Sequence, residues 1–460
     1  MREDEWRLLP ETEQKKGLIS LLFAVFTLNL QCNTETMKMI KNLILLVLVF
    51  CPLQMIAANY KNPVRQSNLP DPSVVYGGDG YFYVYTTQNG QQYVPIYRSP
   101  DLVNWRFAGT AFTSATKPTF VDGGGIWAPE IAHIGQKWVL YYSMSTWGGE
   151  WSCGIGVATA DSPAGPFTDH GKLFISSEIG VQNSIDPCFF RDTDGKNYLF
   201  WGSFRGIYGM ELSADGLSTK PGTLFQIGPS SGSNTTEGSM IFRHGNYYYY
   251  LGSSGSCCSG LQSTYHVVVA RSKFLQGPYY NKEGLSVMSH PYVTIMEKST
   301  RVVGPGHNSE VITDDNGRTW MLYHGYQTWN VDAGRVLYLD ELKWDSQGWP
   351  YIENGMPSAE SEAPYFKDYR YLTGISDLQS DAAPFSVTPG GDNYYQLSGP
   401  ENVSFHWAVY NLRGEKVKQG VASATQELWL NDVADGIYII KVRGKNGGTQ
   451  LKVVKATEAH

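Results

Sequence analysis

One short pattern recurs along the chain and limits what it can fold into. Three segments open with an acid and run through apolar residues to a tight turn: Asp71-Pro72-Ser73-Val74-Val75, Asp186-Pro187-Cys188-Phe189-Phe190 and Glu237-Gly238-Ser239-Met240-Ile241. The turns are Asp79-Gly80, Asp194-Gly195 and His244-Gly245, each followed by an aromatic-rich run such as Tyr81 to Tyr85 or Tyr247 to Leu251. Each unit therefore reads as strand, turn, strand. Trp127-Ala128-Pro129-Glu130-Ile131 before Gly135 and His307-Asn308-Ser309-Glu310-Val311 before Asn316-Gly317 fit the same frame, which makes five units. Ser162 to Phe167 echoes Ser272 to Tyr279, and both are expected to close a blade. No amphipathic helical period interrupts residues 60–350. Recurrence of this kind predicts an all-β protein built as a five-bladed β-propeller, with a β-sandwich as runner-up.

The acids stand nine residues before Gly80, nine before Gly195 and eight before Gly245. The same count falls near Trp127 and on Asn308 in the other units. Inner strands of a propeller line its axis, so Asp71, Asp186 and Glu237 are expected to meet in one central funnel. A single acid at such a place is usually a turn cap or an ion-pair partner. Three together cost stability and push pKa values apart, which suits chemistry needing both an acid and a base. Cleavage of a glycosidic bond has that requirement.

Other segments set the boundaries. From Met37, a start candidate with Met39, Lys38 and Lys41 precede the apolar run Leu43 to Phe50 and the small pair Ala57-Ala58. That is the layout of a signal peptide cleaved near Ala58. The earlier apolar run Leu18 to Leu30 is shorter than the roughly 20 residues a span needs, so no stable membrane span is expected. Phe50 before Cys51 argues against a lipid anchor. We assign residues 1–58 to an extension and signal peptide, 59–355 to the propeller, 356–390 to a Ser-, Pro-, Gly- and acid-rich linker, and 391–460 to a small C-terminal β-sandwich. With a net charge of −7 and no basic run, nucleic acid is not expected as a partner. Aromatics at 13% against 17% charged residues suit an uncharged ligand met by ring faces. The cysteines beyond residue 58 lack zinc-site spacing, and adjacent Cys257 and Cys258 are not expected to bridge, because joining neighbours strains the backbone.

Several motifs in order carry a family resemblance: Leu69 to Ser73, Ile126 to Glu130, Asn183 to Pro187, Gly202-Ser203-Phe204, Thr236-Glu237-Gly238, Cys257 to Tyr265 and Gly304 to Ser309. Across residues 66–352 the chain resembles glycoside hydrolase family 43, and within it the α-1,5-arabinanases. The resemblance implies Asp71 as general base, Glu237 as general acid and Asp186 as the residue that raises and orients Glu237, with inversion at the anomeric carbon. It further implies a calcium ion at His307, which could otherwise be a hydrogen-bonded core histidine. Trp127 is the candidate sugar platform, with core packing as its alternative, and Asn183, Ser203, Phe204 and Arg335 are candidate substrate contacts. Arabinanases usually carry Asp at the place of Glu130, Ala at Ser184 and often Ala at Gly238. These departures leave room for β-xylosidase or α-L-arabinofuranosidase activity, or for a sugar-binding propeller without turnover. Expected partners are arabinan or arabinoxylan oligosaccharides of plant cell walls, met by a monomer. Ala408 to Gly414, Gly436 to Val442 and Lys452 to Lys455 resemble the sorting modules that end exported Bacteroidetes proteins, implying a periplasmic, cell-surface or extracellular destination.

Overall fold

The computed structural model describes residues 59–366 and, with short gaps at 392–393, 400–403, 412–415, 424, 435 and 445–446, residues 385–455. Residues 1–58, expected to form an extension and signal peptide, lie outside the described residues, Cys32 and Cys51 with them.

Five antiparallel sheets follow one another along residues 65–351. The first contains Ser73–Tyr76, Phe82–Tyr85, Tyr93–Ser99 and Arg106–Phe112 in that order, and three more repeat the same meander. Alternating β-branched and aromatic residues suit these strands because both faces are covered, one by each neighbouring sheet. The five turn glycines, Gly80, Gly135, Gly195, Gly245 and Gly317, all have φ between +57° and +91°, a region that side chains rarely enter. These are the blades of the expected propeller. The first blade packs on the second through Tyr85, Ile96, Ile131 and Tyr142, and the second on the third through Tyr141, Leu199 and Trp201. Val74, Phe82, Trp320 and Leu337 join the first to the last.

Ring closure uses the N-terminal strand. Arg65–Asn68 pairs antiparallel with Val336 and Leu337 of the strand Asn330–Trp344, so the chain's beginning completes its last blade. Two expectations change here. Ser162 to Phe167 and Ser272 to Tyr279 run from the third strand of a blade toward its fourth, so each introduces a blade's outer edge and does not close it. Within 356–390, Glu360–Glu362 pairs with Asn59–Lys61, so part of the supposed linker is bound to the propeller. Composition missed this because the strand is short and polar, at a sheet edge.

Beyond the propeller, Ser386–Gly391, Tyr394–Ser398 and Gln426–Trp429 make one sheet. Phe405–Asn411, Lys416–Ala422, Gly436–Gly444 and Gly447–Lys455 make a second. Leu397, Leu428, Phe405, Val409 and Ile440 form a shared core, as a small sandwich requires.

One buried acid is tied to the closing blade. Asp340 is 4% exposed and accepts hydrogen bonds from the Tyr323 hydroxyl at 2.5 Å and the Ser358 amide at 3.2 Å. Burial pushes its carboxyl up to about 6. The folded state therefore holds the proton more tightly than the unfolded chain. That stabilisation is complete below the unfolded value of about 3.9 and is lost as pH rises through about 6. Replacing Asp340 with Asn should leave the melting temperature nearly unchanged near pH 4 and raise it relative to wild type by pH 7. The gain should be on the order of 1–3 kcal/mol. A melting difference that does not vary across this window would contradict the assignment.

Candidate active site

At one register in every blade the inner strand is kinked into the left-handed region. The residues are Asp71 (φ 57°), Ala128 (φ 38°), Asp186 (φ 60°), Gly238 (φ 60°) and His307 (φ 48°). Four of the five carry side chains there, a costly geometry that is held where function needs a side chain aimed. The equivalence refines the spacing argument. His307, not Asn308, matches Asp71 and Asp186, and Glu237 stands one residue before its kink, as Trp127 does. The spacing from kink to turn glycine varies between blades: nine residues before Gly80 and Gly195, seven before Gly135 and Gly245, and ten before Gly317.

The three acids share a cleft of about 330 Å³, together with Trp127, Asn183, Ser203, Phe204, His307 and Arg335. The structure thus brings together every residue nominated from the sequence.

Asp71 is 7% exposed and ringed by cationic or polar groups. Arg335 Nη1 lies 2.8 Å from its Oδ1, His324 Nδ1 3.2 Å and His307 Nδ1 3.3 Å. The Thr87 hydroxyl donates to Oδ2 at 2.6 Å and accepts the Ala128 amide at 2.7 Å. Burial alone would raise the Asp71 carboxyl, but the adjacent Arg335 guanidinium is the strongest opposing influence and the group is held well below the ordinary range. Asp71 is ionised at neutral pH.

Glu237 is in the opposite condition. Burial raises its pKa, and the Asp71 charge adds to the rise, against opposing contributions from Ser203, Tyr265 and Arg335. The Ser203 hydroxyl donates to its Oε2 at 2.6 Å, and Asn183 Nδ2 donates to the Ser203 carbonyl at 3.0 Å. Asp186 accepts the Gly238 amide at 3.1 Å on Oδ2, while its own amide donates to Ser143 Oγ at 2.9 Å. Burial and the charges of Glu237 and Asp71 raise Asp186 as well. Three carboxyls in one cleft thus divide into one held low and a pair pushed up.

Sequence reasoning missed several contributors. Buried His324 accepts the Asp71 amide on Nδ1 at 3.1 Å, and burial lowers its pKa to about 4, so the ring is neutral. Tyr265 stacks on it with centroids 5.7 Å apart. Tyr265 lay inside a motif already singled out, whereas nothing around His324 distinguishes it from a core residue. Trp147 lines the cleft 81% exposed, 5.7 Å from the half-buried Trp127 ring. Cys257 and Cys258 also line it, joined by a disulfide, contrary to the expectation of unpaired buried thiols. That expectation holds for Cys153 and Cys188, which are free and buried. The bridge forms because the pair lies in an irregular loop, where the backbone is not constrained by strand pairing. Two departures from the arabinanase pattern are structural. Glu130 accepts the Phe189 amide at 2.7 Å and bonds Ser73 Oγ at 3.1 Å. Ser184 Oγ donates to the Val181 carbonyl at 2.8 Å and accepts Trp201 Nε1 at 3.1 Å. Neither lines the cleft.

Comparison with known proteins agrees with this geometry. The profile of glycosyl hydrolases family 43 matches residues 60–350, and that of a secretion system C-terminal sorting domain matches 392–456. An extracellular exo-α-(1→5)-L-arabinofuranosidase of Cellvibrio japonicus is 31% identical over 325 residues, covering 65% of this chain and 91% of the relative. An extracellular endo-α-(1→5)-L-arabinanase of Bacillus subtilis is 31% identical over 293 residues, covering 61% and 87%. Among solved structures, Cellvibrio cellulosa α-L-arabinanase complexed with arabinohexaose superposes with a TM-score of 0.57 at 31% identity, covering 63% of this chain and 96% of the other.

Thr87 couples the charged group to the second blade through one hydroxyl. Replacing it with the similarly shaped Val leaves the Ala128 amide and Asp71 Oδ2 each short of a partner. We expect a stability loss of about 1–3 kcal/mol, read by thermal melting. An unchanged melting temperature would mean the hydroxyl contributes nothing.

Proposed function

The chain belongs to glycosyl hydrolases family 43, and from that premise we propose that it hydrolyses α-1,5-linked L-arabinan and arabino-oligosaccharides with inversion at the anomeric carbon. One observation carries the reading. Two buried carboxyls of a single cleft are driven in opposite directions, Asp71 down and Glu237 up. Asp71, ionised beside Arg335, takes a proton from water as it attacks the anomeric carbon. Glu237, its carboxyl pushed up by burial, donates to the leaving oxygen. Asp186 acts through Glu237: its bond to the Gly238 amide fixes the backbone beside the acid, and two neighbouring buried carboxyls oppose ionising together. Both roles follow ordinary acid–base catalysis, which contributes about 10²–10⁴-fold per group.

Trp127 and Trp147 offer ring faces to the apolar faces of furanose rings, and Ser203, Asn183 and Phe204 line the same cleft. The catalytic groups all come from one chain, in keeping with a monomer. One arabinan relative is exo-acting and another endo-acting at the same identity, so the bond chosen along the polymer rests on the cleft's ends. The sorting-domain match supports export; we propose the cell surface or the extracellular medium as its destination.

A hydrated calcium ion beside His307 is part of the same proposal. Burial lowers the His307 pKa and keeps the ring neutral, the form that can ligate. Asn308 Oδ1 and Ser239 Oγ are buried and without hydrogen-bond partners among the described residues. No group of three or more His, Cys, Asp or Glu there could hold an ion, so His307 and water would form the shell. When bound, the ion would add positive charge on the axis.

Linear arabinan incubated with the protein should release reducing sugar. Glu237→Gln should lose at least about 100-fold in kcat while still binding oligosaccharide. No release by wild type under conditions where a known arabinanase works would sink the substrate assignment. Removal of divalent cations by a chelator should lower both melting temperature and activity, with recovery on adding calcium. No change in either would remove the ion from the proposal.

A further inference from the structure

The cleft has an aromatic wall on the second blade, formed by Trp127 and Trp147. Phe204 also lines it, beside polar groups that include Asp71, Glu237, His307 and Arg335. The fourth blade adds the Cys257–Cys258 disulfide. Cys258 is exposed and Cys257 half-buried, so the bonded sulfurs are not core filling. They belong to the loop that follows the strand Tyr247–Ser254 of the fourth blade.

That loop is tightly bound at its base. The Ser256 amide donates to Thr264 Oγ1 at 3.0 Å, and the Thr264 amide returns to the Ser256 carbonyl at 3.2 Å. The Ser263 hydroxyl donates to the Ser256 carbonyl at 2.6 Å and lies 3.2 Å from the Cys257 carbonyl. Gly255 sits at φ +86°, where a Cβ would stand 2.4 Å from the Thr264 carbonyl oxygen. On either side of the loop are groups of the catalytic layer. Ser253 Oγ accepts the His307 amide at 2.8 Å, and Tyr265 packs on His324. The base of the loop is therefore fixed, and its tip is closed by a covalent ring facing the cleft.

A disulfide flanked by two methylenes has no hydrogen-bond donor and presents polarisable sulfur, a surface suited to the C–H face of a sugar. We propose that the Cys257–Cys258 disulfide is a substrate-contacting platform, packing against a furanose ring of bound arabinan from the fourth-blade side of the cleft. The proposal rests on the arabinan reading and adds a specificity-determining element to it. Joining the two residues removes side-chain freedom that a pair of separate apolar residues would lose on binding. The ring thus stands pre-formed beside the cleft.

Binding is read apart from chemistry in the Glu237→Gln background, by calorimetric titration with arabinohexaose. Adding Cys257→Ser and Cys258→Ser to that background should weaken Kd about tenfold, as loss of one well-packed apolar contact predicts. In the otherwise native enzyme the same pair should raise KM on arabinohexaose with kcat within about threefold. Where the serine pair lowers folding yield, phosphine reduction of the folded native protein serves instead. KM should rise on reduction and return on reoxidation. Peptide mapping without reduction should show the segment 244–271 lighter by two hydrogens than after reduction.

Kd and KM both within twofold of the parent would overturn the proposal, as would a fall in kcat with KM unchanged, which marks a purely structural loop. Two free thiols in the unreduced peptide would overturn it as well. Failure of the Glu237→Gln parent to bind arabinohexaose at all would instead bring down the arabinan reading, and the platform with it.

Discussion

The antiparallel pairing of Arg65–Asn68 with the last blade is the contact on which the molecule depends. It closes a ring of five sheets, without which two apolar faces would be left open to water. The same pairing builds the surroundings of Asp71. The Leu69 amide donates to the Arg335 carbonyl at 2.9 Å, and the Arg335 amide donates to Asn68 Oδ1 at 3.0 Å. Two residues beyond Leu69 the chain kinks, and the Asp71 carboxylate meets the Arg335 guanidinium. Closure of the fold and ionisation of Asp71 are thus one event.

The division of labour among the acids has the same origin. A carboxylate in a dry cleft is costly unless a cation answers it, and the closing blade supplies Arg335 to Asp71. Glu237, on the fourth blade, has hydroxyl neighbours in Ser203 and Tyr265 and the Asp71 charge in the same cleft. The difference between Asp71 and Glu237 therefore lies in their surroundings, since both are ordinary carboxyls. The repeated left-handed kink lets these side chains leave the pleat and enter the funnel, and the blade cores of buried aromatics hold that backbone in place.

Much of the fold was legible because the blade is a local unit. Strand, Asp-Gly turn and aromatic strand are each decided within about ten residues, so their recurrence could be counted, and the axial acids emerged from the count. Where the stretch between kink and turn changes length the count slips: ten residues separate His307 from Gly317 against nine in the first and third blades, which is why Asn308 stood in for His307. The strand Glu360–Glu362 was invisible because its pairing partner lies at the other end of the propeller. His324 reads as one more buried residue in the run Thr319–Gln327, and only the axis turns its ring toward Asp71. The Cys257–Cys258 bridge contradicted a rule that holds for regular backbone and not for a loop closed at its base.

By itself the sequence determined five blades, a trailing sandwich and three acids at one level of the axis, because all of these follow from short-range periodicity and turn chemistry. What the acids do was decided by tertiary structure. Arg335 is separated from Asp71 by 264 residues of chain, and His324 by 253. Electrostatic environment is set by distance in space, and in a closed ring the first and last blades are neighbours.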